Sequence, residues 1–144
     1  MSPISPQRLA IALLMMRVTL GIFFLQWGIE KFVVPATTTG IFRNFYGLTV
    51  DGALPSILGG AQIALALALI AGVAPRFTYG VVAVLHTITV VVTIPRLLAP
   101  WTPVSNHFFI AGVPILAAFY ALYLLRDADR FTLPRMLTRA PAAG

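Results

Sequence analysis

The chain contains no cysteine. That excludes a disulfide framework, a thiol relay, and any cysteine-ligated zinc, iron–sulfur or covalent haem site. Charge is scarce as well: 10% of the 144 residues are charged, where a soluble domain carries about 25%. Only four carboxylates occur, Glu30, Asp51, Asp127 and Asp129. No carboxylate dyad, nucleophile–base pair, phosphate-cradling glycine loop or zinc-binding helix motif appears. An autonomous enzyme has little to work with here. A role in which a cofactor or partner brings the chemistry asks less of the chain.

What is present is apolar: 59% of the residues are hydrophobic. The composition is that of an integral membrane protein with room for one domain, residues 1–144. The formal net charge of +6 does not point to nucleic acid, because the basic residues flank apolar segments as orientation signals do. The apolar stretch at the N-terminus is too long for a cleaved signal peptide and lacks an A-x-A site, so it reads as a retained first span.

Four spans are expected, at about 9–34, 54–73, 77–94 and 106–125, each long enough for a hydrocarbon core of ~30 Å. The fold class is therefore all-α, an integral membrane four-helix bundle, with a basic tail at 126–144 whose stretch from Arg130 to Gly144 reads as mobile or as lying on the headgroups through Phe131, Leu133 and Met136. Pro55 suits a first helical turn, Pro95 stops the third span, Ser105 or Asn106 caps the fourth, and Pro114 is expected to kink it. The even span count puts both termini on one side. Arg8, Arg76, Arg126, Arg130, Arg135 and Arg139 share that side, against Lys31, Arg43 and Arg96 on the other. The excess places the termini in the cytoplasm. The outward connections carry Ile41, Phe42, Phe45, Leu48, Leu97, Leu98 and Trp101. They are either interfacial anchors or a lid or docking surface for a partner.

Arg17 interrupts the apolar run from Leu9 to Leu25. A charge near mid-span costs at least ~2.5–3.5 kcal/mol on the insertion scale, so it needs a partner, a watered cavity or a function. At helical spacing Arg17 shares a stripe roughly 80° wide with Gly21, Phe24, Gly28 and Lys31. The glycines allow close helix approach, within one protomer or between two. Gly59 and Gly60 offer the same in the second span. Gln62 is a packing hydrogen bond or a partner for Arg17. In the third span Tyr79, His86, Thr89 and Thr93 fall on one stripe. His86 is an interhelical hydrogen-bonding group, or a group that binds a quinone carbonyl, relays a proton or ligates a metal. Arg17, Gln62, Tyr79 and His86 are thus the candidates for a quinone or lipid pocket. Glu30, Lys31, Arg43 and His107 are candidates at the outer face. Glu30, four residues after Gln26, is an interfacial carboxylate neutralised by Lys31, Arg43 or Arg96, or a proton acceptor. His86 and His107 differ in depth by about 10 Å, which argues against bis-histidine haem. No metal site is expected. Asp127 and Asp129 follow the last span and read as surface residues.

Arg17-x-x-x-Gly21-x-x-Phe24-x-x-x-Gly28-x-x-Lys31-Phe32, followed by Gly59-Gly60, Leu65, Leu69, Gly72 and Arg76, resembles the DoxX family of small four-helix bacterial membrane proteins. The resemblance runs over nearly the whole chain. It implies an accessory subunit of a membrane redox system in a bacterial inner (plasma) membrane, such as a thiosulfate:quinone oxidoreductase or an oxidant-defence complex. A related branch assists cofactor maturation in periplasmic amine dehydrogenases. An acidic residue often stands three positions before the double glycine in this family; here Ser56 stands there.

The expected function is a small membrane subunit of a quinone-linked redox or oxidant-defence complex. It would anchor an oxidoreductase partner in the lipid bilayer and line a quinone pocket, with no intrinsic cofactor. The alternative is a non-enzymatic scaffold or maturation factor for an exported oxidoreductase or metalloprotein. A weaker alternative is a small-molecule permease built as a homo-oligomer.

Overall fold

The computed structural model describes residues 4–103 and 107–138. The expected caps Ser105 and Asn106, and Arg139, lie outside them. In chain order the helices are α1 (Pro6–Val33), α2 (Pro35–Ile41), α3 (Leu54–Ala71), α4 (Pro75–Val92), α5 (Ile94–Leu98), α6 (Gly112–Leu124) and α7 (Leu133–Leu137). A π-helical turn at Phe42–Tyr46 follows α2, and 3-10 turns occupy His107–Ala111 and Arg126–Ala128. The described residues contain no strand.

Four helical segments are long and apolar enough to cross a membrane: Pro6–Val33, Leu54–Ala71, Pro75–Val92 and His107–Leu124. Prolines open α1, α3 and α4 in their first turns, where the missing N–H has no intrahelical acceptor to lose. α1 lies along α3 and α4 along α6, and the two pairs join through α1–α6 and α3–α4 contacts. Leu20, Phe24, Leu69, Tyr79, Val82, Phe119 and Leu122 fill the centre. Ile22, Ile57, Leu67, Phe77, Val84, Ile88 and Val91 point outward, as lipid-facing side chains do.

The fourth span departs from the expected kinked α-helix. It begins as the 3-10 turn at His107–Ala111 and becomes α-helical at Gly112. Pro114 has no N–H to give the carbonyl of Ile110, so the turn ahead of it winds more tightly.

The largest departure is at the end of the bundle carrying both termini. α1 has 28 residues against 18 in α3 and in α4, about 42 Å against 27 Å. Its first turns overhang the bundle. Ala10 and Leu13 in this overhang are nonetheless buried, and Leu9, Met16 and Ala128 pack with the core. The cover comes from residues after the last span. The segment after the last span folds back along α1 through Arg126–Ala128, with Asp129 buried and, within the stretch expected to be mobile, Thr132 buried as well.

Candidate functional site

Gly21 and Gly28 bring α1 close to α3. A Cβ on Gly21 would overlap the Ile70 side chain, and one on Gly28 would lie 2.8 Å from Ile63 Cγ1. Across the same contact, a Cβ on Gly59 would lie 2.9 Å from Lys31 Cβ and 3.0 Å from the Gly28 carbonyl. The glycine face of α1 is thus used inside the protomer. Gly60 differs: it is exposed, and its nearest neighbour is Phe32 Cζ at 4.0 Å from the Cβ position. Gln62 Nε2 donates to the Phe24 carbonyl at 2.9 Å, a further link between these helices. It does not bond Arg17.

The stripe continues from Gly21 to Arg17, one turn earlier, where α3 ends. Gly72 caps α3 at φ 68°, a left-handed conformation that glycine adopts without cost. The Arg17 guanidinium lies against Gly72, where a Cβ would overlap it. Arg17 is therefore not at mid-span but level with the α3–α4 turn.

The partner of Arg17 is Asp129. Arg17 Nη1 donates to Asp129 Oδ2 at 2.9 Å, and Nη2 donates to the Phe131 carbonyl at 2.8 Å. Tyr79, on the first turns of α4, donates its hydroxyl to the same Oδ2 at 2.7 Å. Arg17 Nη1 also points at the Tyr79 hydroxyl, at 3.5 Å, too long to add much. Arg17 is 2% exposed and Asp129 fully buried. A buried cation is tolerated only with a paired and hydrogen-bonded counter-charge; Arg17 has one, while Arg17 Nε and Asp129 Oδ1 are buried with no hydrogen-bond partner among the described residues. The two η nitrogens grip two points of the C-terminal segment, which ties α1, α4 and the chain after α6 together.

This corrects the reading of Asp129 as a surface residue; Asp127, 87% exposed, is one. Ser56 lies near the opposite end of α3 from Gly72, sixteen residues or about 24 Å away. A carboxylate at that position would not reach Arg17.

Of the pocket candidates, Arg17 and Tyr79 come together, while Gln62 and His86 stand apart. His86 Nε2 donates to the Gly112 carbonyl of α6 at 3.0 Å, and its ring contacts Phe23 and Phe119 at centroid distances of 5.9 and 5.3 Å. Thr89 on the expected stripe is exposed. At the far end, Lys31 Nζ donates to the Trp27 carbonyl at 2.9 Å. Glu30 forms no ion pair within 4.0 Å among the described residues. Arg43 is exposed, and His107 sits edge-on to Trp101 at 4.8 Å. Phe42 stacks on Tyr46 at 5.0 Å and Phe45 contacts Phe109 at 5.9 Å, while Leu48, Leu98 and Trp101 remain exposed.

Two open clefts flank the bundle. One, of about 370 Å³, is lined by Phe23, Gln26, Trp27, Glu30 and Phe108. The other, of about 410 Å³, lies at the termini end beside Gly72 and Thr132.

The family model described as DoxX matches residues 12–101. The chain belongs to the DoxX family. The matched stretch contains Arg17, Gly21, Gly28, Gly59, Gly72, Tyr79 and His86, whereas Asp129 falls beyond it. No curated protein and no solved structure matches the chain. This DoxX protein is a small integral membrane protein, built on four helices that can cross a bilayer.

Proposed function

We propose that this DoxX protein is a membrane anchor for a partner oxidoreductase, and that it does no redox chemistry through Arg17. The supporting observation is the buried Arg17–Asp129–Tyr79 network. The cation already has a carboxylate, a carbonyl and a nearby hydroxyl. Among the described residues neither cleft is lined by Arg17, Tyr79 or His86. A bundle whose buried cation is already paired with a carboxylate of its own chain suits a scaffold better than a ligand pocket. Exposed Leu48, Leu98 and Trp101 at the end opposite the termini provide an apolar surface on which a partner or the bilayer interface can rest.

The test is purification of the tagged protein from its own membranes in a mild detergent, with oxidoreductase activity and subunit composition measured on the eluate. A second polypeptide in fixed ratio that carries the activity is the expected result. A homo-oligomer without activity would overturn the proposal.

A quinone-binding role keeps one specific observation in its favour, at a different place from Arg17. The cleft lined by Phe23, Gln26, Trp27, Glu30 and Phe108 offers aromatic faces to a ring, an amide that can donate to a carbonyl oxygen, and a carboxylate that can accept a proton. Trp27→Ala should then lower the quinone content of gentle extracts while leaving Arg17→Met variants loaded; unchanged content in both would remove this reading.

A further inference from the structure

We infer that the cleft at the termini end is a phosphate-binding site, with Arg76, Arg126 and Arg135 as its cations. The three guanidinium groups come from three separate parts of the fold: the first turn of α4, the 3-10 turn after α6, and α7. Thr132 and Gly72 form the inner wall, and the one carboxylate on the rim is the exposed Asp127. Three arginines and one solvated carboxylate, 3.9 Å from Arg126 Nη2, thus line a cleft of about 410 Å³.

Two of the arginines are held in place without using up their donors. Arg126 Nη1 donates to the Tyr123 carbonyl at 2.8 Å, and the guanidinium lies over the Tyr123 ring at 4.7 Å. Arg135 Nη1 donates to the Asp129 carbonyl at 2.9 Å and the Asp127 carbonyl at 3.2 Å. Each guanidinium has five N–H donors, so each retains unused donors, Arg126 Nη2 facing only the exposed Asp127 carboxylate at 3.9 Å, and the backbone bonds reduce the ordering cost of binding. The planar, two-pronged donor geometry is the one that suits phosphate oxygens. Arg76, exposed at the second position of α4, completes the ring. The α4 N-terminus has no side-chain cap and no acidic residue in its first turn, so its dipole adds positive potential on the same side.

The place of the cleft bears on the source of the phosphate. It sits on the turn joining two spans, α3 and α4, with Gly72, Pro75 and Arg76 in its lining. Phe77 beside Arg76, and Leu133, Met136 and Leu137 on α7, are exposed around it. A phospholipid could lay its headgroup phosphate on the arginines and its chains along these side chains. A free phosphate would use the arginines alone.

The test uses the full chain, delipidated in an uncharged detergent, with native mass spectrometry as readout. The probes are dioleoyl phosphatidic acid and dioleoylglycerol, which share acyl chains and differ in the phosphate. Phosphatidic acid should bind more than tenfold tighter than dioleoylglycerol. Arg76→Gln, which disturbs no hydrogen bond seen among the described residues, should weaken phosphatidic acid about tenfold, as loss of one charged hydrogen bond predicts. Arg43→Gln, at the other end of the bundle, should leave it unchanged. Inorganic phosphate that displaces the lipid marks free phosphate as the occupant; failure to displace it marks the lipid headgroup, and both outcomes support the site. Equal binding of the two lipids, or wild-type affinity in both Arg76→Gln and Arg76→Gln/Arg135→Gln, overturns it.

Discussion

Asp129 Oδ2 lies 2.9 Å from Arg17 Nη1 although the two residues are 112 positions apart. The pair is buried on both sides, and the carboxylate arrives on a segment that follows the last span. The fold therefore closes only when the chain beyond α6 has returned to α1. Burying a salt bridge is not stabilising in itself, since desolvation offsets much of the attraction. Its consequence is asymmetry: either partner alone is far worse than both or neither.

That asymmetry gives the first prediction. Asp129→Leu or Arg17→Met alone should destabilise the protein by about 3–5 kcal/mol, whereas the two together should recover most of the loss. Thermal or denaturant unfolding in detergent provides the four corners of the cycle. A double variant as unstable as the sum of the singles would mean that the two side chains do not act as a pair.

Tyr79→Phe removes one donor from Asp129 Oδ2, leaving the ion pair and the ring packing in place. The expected cost is about 1–3 kcal/mol, the range for a hydrogen bond to a charged group. In the Arg17→Met/Asp129→Leu background the hydroxyl has no carboxylate to bond, so the same substitution should there be neutral or favourable. The same unfolding measurement reports both values.

The residues legible in the sequence were those with a steep local cost. Arg17 stands out because no apolar helix carries a cation without reason. Gly21, Gly28 and Gly59 announce a close contact by their spacing, and each meets the opposite helix. Asp129 has no comparable signal. It follows a three-residue 3-10 turn and precedes a five-residue helix, stretches too short to impose a hydrophobic period. The depth of Arg17 is hidden from the sequence for a related reason. The overhanging turns of α1 carry the buried Ala10 and Leu13, and α1 contacts the 3-10 turn after α6; hydropathy does not distinguish cover by protein from cover by lipid. Gly60 resembles Gly59 in sequence yet faces outward, because adjacent helical positions are about 100° apart.

That difference supplies a paired prediction on α3 and its cap. Gly60→Ala fills open space in a helix interior, so it should be neutral or stabilise by up to about 1 kcal/mol. Gly72→Ala carries a left-handed penalty of about 1–2 kcal/mol and also places a methyl group on Arg17 and Thr132. Its total cost should exceed that penalty and approach the loss seen in Arg17→Met. Melting temperatures of the two variants, measured side by side, should separate by several degrees; coincident values would show that Gly72 does not support the arginine.

A truncation after Leu125 tests the latch as a whole. It removes Asp129, the Phe131 carbonyl and the cover over Ala10 and Leu13, while all four spans remain. Arg17 then faces the membrane boundary without its carboxylate, so the truncated chain should be less stable than Asp129→Asn, which loses the charge alone. Arg17→Met in the truncated chain should restore part of the stability, because an apolar side chain there needs no counter-ion. The part not restored measures the apolar cover. At about 25 cal/mol per Å² of apolar surface, the area newly exposed on Leu9, Ala10, Leu13 and Met16 sets its size. If Arg17→Met gave no recovery in the truncated chain, the segment after α6 would stabilise the bundle by packing alone, and the charge pair would be incidental to it.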